Sequence, residues 1–276
     1  MTVDFYFINI WAQLAAKSPY PFMHPTIPLV ACLVYIFMVR TYSPSKATVL
    51  EKQRQQEMQH KASVSITSFN KWCACHNLVL CIYSAVSFVG SCCALYDDYE
   101  ALGWKGLFCG SFGASKWVYL FHLSKYYEFV DTMIVILKNN RPSFLQTYHH
   151  VGAVIVTYSF VVSTPGCCWL FVILNSLVHT VMYLYYFFTC LKIYCPFKHV
   201  ITTIQLTQFV AGMMLGIPAW HFNECLTFER IVALASTYVY TMALIPLFLN
   251  FYRSSYFPNK PKKQPTTATN NVKKAI

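Results

Sequence analysis

The sequence predicts an all-α membrane protein with seven transmembrane helices, and three observations carry that prediction. Hydrophobic residues make up 56% of the 276 residues and charged ones only 11%, where a soluble domain carries roughly a quarter. Apolar runs long enough to cross a bilayer recur along the chain. Lysine and arginine gather in alternate connections between the runs, as they do in loops kept on the cytosolic side.

In order, the runs lie at about 27–43, 72–95, 116–137, 145–163, 168–191, 200–218 and 231–252. They show no internal repeat. Pro28, Pro218 and Pro246 fall in or at the edges of runs, where neighbouring helices satisfy the freed backbone. The linker 43–70 is basic, Asp97, Asp98 and Glu100 read as an acidic loop, and Asn139-Asn140-Arg141-Pro142 reads as a short turn. Residues 1–256 form one domain, and 257–276, rich in Pro, Lys and Thr, read as a disordered tail.

Sidedness follows from charge. Lys52, Lys138, Arg141, Lys192, Lys198, Arg253 and the tail lysines fall on one face, against Lys17, Lys105, Lys116 and Arg230 on the other. The basic face sets the C-terminus in the cytosol and the N-terminus outside it. The ending Lys273-Lys274-Ala275-Ile276 reads as a dilysine retrieval signal of endoplasmic-reticulum membrane proteins, which must also face the cytosol.

Several function classes drop out. The net charge of +11 comes with no nucleic-acid-binding motif, so no nucleic-acid partner is expected. Cys32, Cys81 and Cys190 sit in apolar runs and pack as small hydrophobes, and Cys73 and Cys75 lack a partner pair at zinc-site spacing. Cys92-Cys93, Cys167-Cys168, Cys109 and Cys225 lie near loops on one side, where one disulfide can form if that side is oxidising. Residues 1–20 contain Asp4 and no basic start before an apolar core, so no cleavable signal peptide is expected there.

The chemistry sits in polar groups that the apolar runs should not tolerate without use. In the third run Lys125, Glu128 and Asp131 recur at spacing three, so each touches the next on one helix face, with Thr132 beside them. The plain reading is an ion-pair ladder clamping helices, and Asp131 can instead orient a histidine. In the fourth run Gln146 precedes His149 and His150 by three and four positions and can reach either ring. A single intramembrane histidine often only bridges helices; an adjacent pair beside a glutamine, with His179 in the next run, favours catalysis, since neutral imidazole is both nucleophile and base. Asn175, His179, Tyr183 and Tyr186 share a stripe of the fifth run, and Thr202, Gln205 and Gln208 a stripe of the sixth. A di-iron site would need several histidine boxes, but His24, His60, His76, His122, His199 and His221 are scattered singly, so no metal is expected.

Taken together, KxxExxDT at Lys125–Thr132, the pair His149-His150, NxxxHxxMYxYY at Asn175–Tyr186 and TxxQxxQ at Thr202–Gln208 resemble the ELO family of fatty-acid elongases. That family's box reads HxxHH; here Gln146 takes the first position, similar to the variant box of many polyunsaturated-acyl elongases. The resemblance implies six of the seven helices forming an inverted barrel around an acyl tunnel. It implies condensation of an acyl-CoA with malonyl-CoA to 3-oxoacyl-CoA, carbon dioxide and CoA, with no cofactor beyond the substrates. His149 is then the expected acyl acceptor, supported by His150, with His179, Asn175 and Tyr183 orienting malonyl-CoA; the family's alternative has a histidine act only as a base. Thr202, Gln205 and Gln208, which taken alone read as helix-packing glue, would hold thioester or pantetheine amide, and Lys138, Arg141, Lys192, Lys198 or Arg253 the CoA phosphates. Met213, Met214, Trp220 and Tyr238 are the candidates for the tunnel's end wall. Expected partners are membrane lipids and the other enzymes of the elongation cycle; a homodimer is compatible with it. The alternative from another class is a lipid-binding or lipid-transporting bundle without catalysis.

Overall fold

The computed structural model describes residues 11–58, 66–110, 112 and 115–257, and each apolar run within it is helical. Residues 11–17 are helical, and from residue 26 the α-helices are, in chain order, α1 (Thr26–Tyr42), α2 (Lys46–Met58), α3 (Ser68–Cys109), α4 (Lys116–Tyr127), α5 (Phe129–Leu137), α6 (Phe144–Ser163), α7 (Trp169–Cys190), α8 (Lys198–Gly216) and α9 (Phe228–Tyr256). No strand occurs among the described residues. Lys273, Lys274 and the tail from residue 258 lie outside them.

Four segments are long and apolar enough to cross a membrane: α3, α7 with the turn before it, α8 with the turn after it, and α9. The pair α1 and α2 qualifies jointly but bends by 61°. The expected third span is divided at Glu128 into α4 and α5 and carries four charged residues, Lys116, Lys125, Glu128 and Asp131; α6 is diluted by its polar start, Gln146 to His150. Large apolar side chains point outward without protein cover, among them Leu33 and Phe37 on α1, Ile82 and Val89 on α3, and Val239 and Met242 on α9. Backbone groups satisfied within helices and an apolar outer surface suit a bilayer. The chain is a multi-pass, all-α membrane protein.

Helix pairings close a ring. α3 packs on α7, α7 on α8, α8 on α9, α9 on α6, α6 on α4 and α4 back on α3; α1 lies outside it against α5 and α6.

Local chemistry fixes the helix ends. Thr67 caps α3 by accepting the Asn70 N–H at 3.2 Å, and Ser143 caps α6 by accepting the Gln146 N–H at 3.1 Å. Asn139, with φ of 51°, makes the left-handed turn expected between α5 and α6. The acidic loop is corrected: Asp97, Asp98 and Glu100 continue α3, because nothing breaks it before Gly103, whose φ of 60° only glycine adopts freely. Asp98 is buried and accepts the Phe112 N–H at 2.7 Å.

The two ends of the bundle differ. At one, Cys109 and Cys225 form a disulfide, Lys105 pairs with Glu224 at 2.5 Å, and Arg230 donates to the Cys225 carbonyl at 2.9 Å. The doublets Cys92-Cys93 and Cys167-Cys168 stay free. At the other, Lys52 of α2 bonds the Lys138 carbonyl and reaches Asn140 Oδ1 at 2.8 Å, drawing the basic linker onto the α5–α6 turn.

Candidate active site

Three rungs join α4 and α5 to α7. Lys125 Nζ donates to Asn175 Oδ1 at 3.0 Å, Glu128 Oε1 lies 3.5 Å from His179 Nδ1, and Asp131 Oδ2 accepts the Tyr183 hydroxyl at 2.6 Å. The rungs advance three residues on one side and four on the other. An α-helix rises about 1.5 Å per residue and a 3₁₀ turn about 2.0 Å, so three tightened residues span what four ordinary ones do. The tightening falls at Glu128, where the Asp131 N–H bonds back to the Glu128 carbonyl at 3.0 Å. The tightening is confined to the second step, because the Glu128 N–H still bonds the Ser124 carbonyl four residues back at 2.9 Å.

Within the first row, Lys125 Nζ also donates to Glu128 Oε1 at 2.7 Å, as the spacing predicted, with both residues only 2% exposed. The ladder does not continue to Asp131, which turns away to His76 Nε2 at 2.8 Å and to Tyr183. Asp131 does orient a histidine, but one supplied by α3. Tyr183 spends its hydroxyl proton on Asp131 and so has none for a substrate carbonyl. Tyr186 is off the ladder, 42% exposed against the rings of Tyr183 and Tyr185.

From α6, His149 enters the same space. Glu128, His149 and His179 each bring one donor atom within 4.8 Å of the others. Two imidazoles and a carboxylate are metal-ligand chemistry. The Lys125 ammonium, already bonded to that carboxylate, disfavours a cation there. His149 Nδ1 lies 2.9 Å from the Tyr240 hydroxyl of α9. His150 is buried beside it, edge-on to Tyr35 and Phe129. Gln146 does not reach either ring as its spacing allowed; its amide donates to Thr132 Oγ1 at 3.1 Å, which meets the Tyr35 hydroxyl at 2.9 Å, tying α6 to α5 and α1.

An apolar cavity lies between α7, α8 and α9 and meets the ladder at Asn175. Asn175, Gln208 and Thr241 line its polar end; Phe171, Gly212 and Tyr238 its length; Cys167, Gly216 and Leu234 its far end. From Gln208 to Gly216 along α8 is about 12 Å at the rise of an α-helix. Met213 and Tyr238 line it as expected of an end wall, joined by a 3.0 Å bond from the Tyr238 hydroxyl to the Met213 carbonyl, with Trp220 edge-on to Tyr238. Met214 is corrected: it is 62% exposed on the outer face. Of the sixth-run stripe only Gln208 lines the cavity, its Oε1 buried and unpartnered among the described residues. Thr202 instead meets the Tyr256 hydroxyl at 3.1 Å, and the Gln205 amide the Met182 sulfur at 3.2 Å.

A second, more polar cleft opens at the basic end. Lys52, Lys138 and Lys192 line it with Asn70, Asn140 and Thr189. Arg141, Lys198 and Arg253 are not among its lining; Lys198 lies over the Tyr256 ring at 5.9 Å. Lys52, His76 and Tyr240 are the site residues that sequence reasoning missed. Tyr240 had a signal: it lies in mid-span, whereas membrane tyrosines favour the interfaces, and a buried phenol needs a partner.

The family described as ELO: GNS1/SUR4 matches residues 20–264. The chain is 32% identical to fatty acid elongase sre1 of Dictyostelium discoideum over 221 residues, covering 76% of this chain and 80% of that one. It is 32% identical over 170 residues to fatty acid elongase A of the same organism, covering 60% and 61%. Long chain fatty acid elongase 1 of Caenorhabditis elegans is 32% identical over 189 residues, covering 63% and 65%. With the matched region spanning the whole ladder, the histidine cluster and the cavity, the chain belongs to the ELO family of fatty-acid elongases.

Proposed function

We propose that the chain condenses a long-chain acyl-CoA with malonyl-CoA, inside a barrel of six of its seven membrane-spanning helices. The observation that carries this reading is the meeting of His149, His179 and Glu128, which Lys125 links to Asn175 at the polar end of an otherwise apolar cavity. The acyl chain lies in the cavity, and its thioester carbon meets His149. The Nε2–C bond forms as the C–S bond breaks, and CoA leaves as thiolate. The acylated ring carries the positive charge. Loss of carbon dioxide from malonyl-CoA then supplies the electron pair that attacks the acyl carbon, breaking the N–C bond and returning neutral imidazole. His179, held by Glu128, orients the malonyl thioester. Splitting the condensation this way makes each step easier. Lys52, Lys138 and Lys192 give the CoA phosphates a cationic cleft at the basic end.

The test is release of labelled carbon dioxide from malonyl-CoA by the purified protein, with saturated, monounsaturated and polyunsaturated acyl-CoAs in separate reactions. Release that depends on acyl-CoA is expected, highest with polyunsaturated chains, the preference that the variant box at Gln146 supports. Movement of lipid without release would support the lipid-transporting alternative and sink the enzymatic reading.

The basic end faces the cytosol and the protein resides in the endoplasmic reticulum. The Cys109–Cys225 disulfide at the opposite end supports this, since disulfides persist in oxidising compartments. Replacing Lys273 and Lys274 with serine should let a tagged protein leak to the Golgi, and unchanged residence would remove the retrieval role.

A further inference from the structure

We infer that Tyr240 is a positioning residue that fixes the tautomer of His149, and that Gly152 exists at its position to let the Tyr240 ring approach; this rests on the reading of His149 as the acyl acceptor. The Tyr240 oxygen makes two contacts with one residue, 2.9 Å to His149 Nδ1 and 3.0 Å to the His149 carbonyl oxygen. A phenol has one proton, and a carbonyl oxygen can only accept. The phenol therefore donates to the carbonyl, and Nδ1 must carry a hydrogen and donate it to the phenolic oxygen. Nε2 is left with its lone pair, and among the described residues nothing bonds to it. Of the two ring nitrogens it is the one free to face Glu128 and His179.

The ring is seated with equal care. It is 5% exposed and stacks on Tyr148, one residue before His149, at 5.7 Å. A Cβ on Gly152 would lie 2.2 Å from Tyr240 Cε2. Any side chain there would push the ring off α6 and carry the hydroxyl away from His149. The same bond serves both stages of the reaction. Before acylation it keeps the proton on Nδ1, leaving Nε2 nucleophilic. While the acyl group is on Nε2, the phenolic oxygen accepts from the charged ring and stabilises it. The phenol exchanges no proton with substrate and touches no reacting atom.

Two variants of the full-length protein test this by quenched-flow measurement of acyl transfer from labelled acyl-CoA to the enzyme. Tyr240→Phe keeps the ring and its packing and removes only the hydroxyl. Its acylation rate and kcat are expected to fall by about 10- to 100-fold, the size of effect seen when a metal-bound histidine loses the partner that orients it. The KM for acyl-CoA and the melting temperature should stay as in the wild type. Gly152→Ala keeps the phenol but displaces it, and is expected to slow acylation by a similar factor. Wild-type acylation in Tyr240→Phe overturns the inference, as does a change confined to KM, which would mark the ring as a wall of the cavity. Should Tyr240→Phe fail to fold, Gly152→Ala decides alone, and an unchanged acylation rate there overturns the inference. His149→Ala separates the two levels: if it still acquires label, the acyl-acceptor reading fails; if it does not while Tyr240→Phe acylates normally, only the tautomer assignment fails.

Discussion

Replacing His149 with alanine is expected to abolish both condensation and covalent acyl labelling, lowering turnover on the order of 10⁴-fold or more, as loss of a group acting within a catalytic unit does. Expression should survive, because the ring bonds to Tyr240 and packs among other aromatic groups rather than closing a buried ion pair. His179→Ala is expected to behave differently. His179 is held by Glu128 on the far side of the cluster, where the malonyl thioester must lie if the acyl group is on His149. That variant should still take up acyl label from acyl-CoA but fail to release carbon dioxide from malonyl-CoA. Label trapped on His179→Ala and absent from His149→Ala is the signature of the assigned roles. The reverse pattern would exchange them, and full turnover in His149→Ala would end the covalent reading.

What the sequence made legible was whatever lies on one helix. The helical segments follow from apolar length, the Lys125–Glu128 pair from spacing three, and the shared stripe of Asn175, His179 and Tyr183 from spacing four. What stayed hidden were partners chosen across helices. Asp131 and His76 are 55 residues apart, and His149 and Tyr240 are 91 apart. No periodicity on one helix tells which neighbour a side chain will meet. Gln146 illustrates the same limit: its spacing to the histidines suits a contact, yet Thr132 on α5 takes its amide. The break at Glu128 was invisible for another reason. No glycine or proline marks it, and an unbroken α-helix is the local preference of that stretch.

The second large effect concerns the ion pair itself. Lys125→Met should leave Glu128 as an uncompensated buried carboxylate, since its Oε2 already has no partner among the described residues and its Oε1 would keep only Ser124 and His179. Breaking a buried pair by removing one member costs about 3–5 kcal/mol, whereas replacing both members is often neutral. The single variant is therefore expected to melt well below the wild type in detergent and to lose activity. The double variant Lys125→Met, Glu128→Gln should recover the melting temperature, because no charge is left buried and the amide can still reach His179. Activity should not return with it: the carboxylate that holds His179 and the ammonium that meets Asn175 at the polar end of the cavity are both gone. Melting followed by tryptophan fluorescence, read beside carbon dioxide release, separates the two contributions. A double variant as unstable as the single one would mean that the pair is needed for the fold. A double variant that is both stable and active would show that the charges serve neither the fold nor the chemistry, and that the rung at Glu128 positions His179 by shape alone.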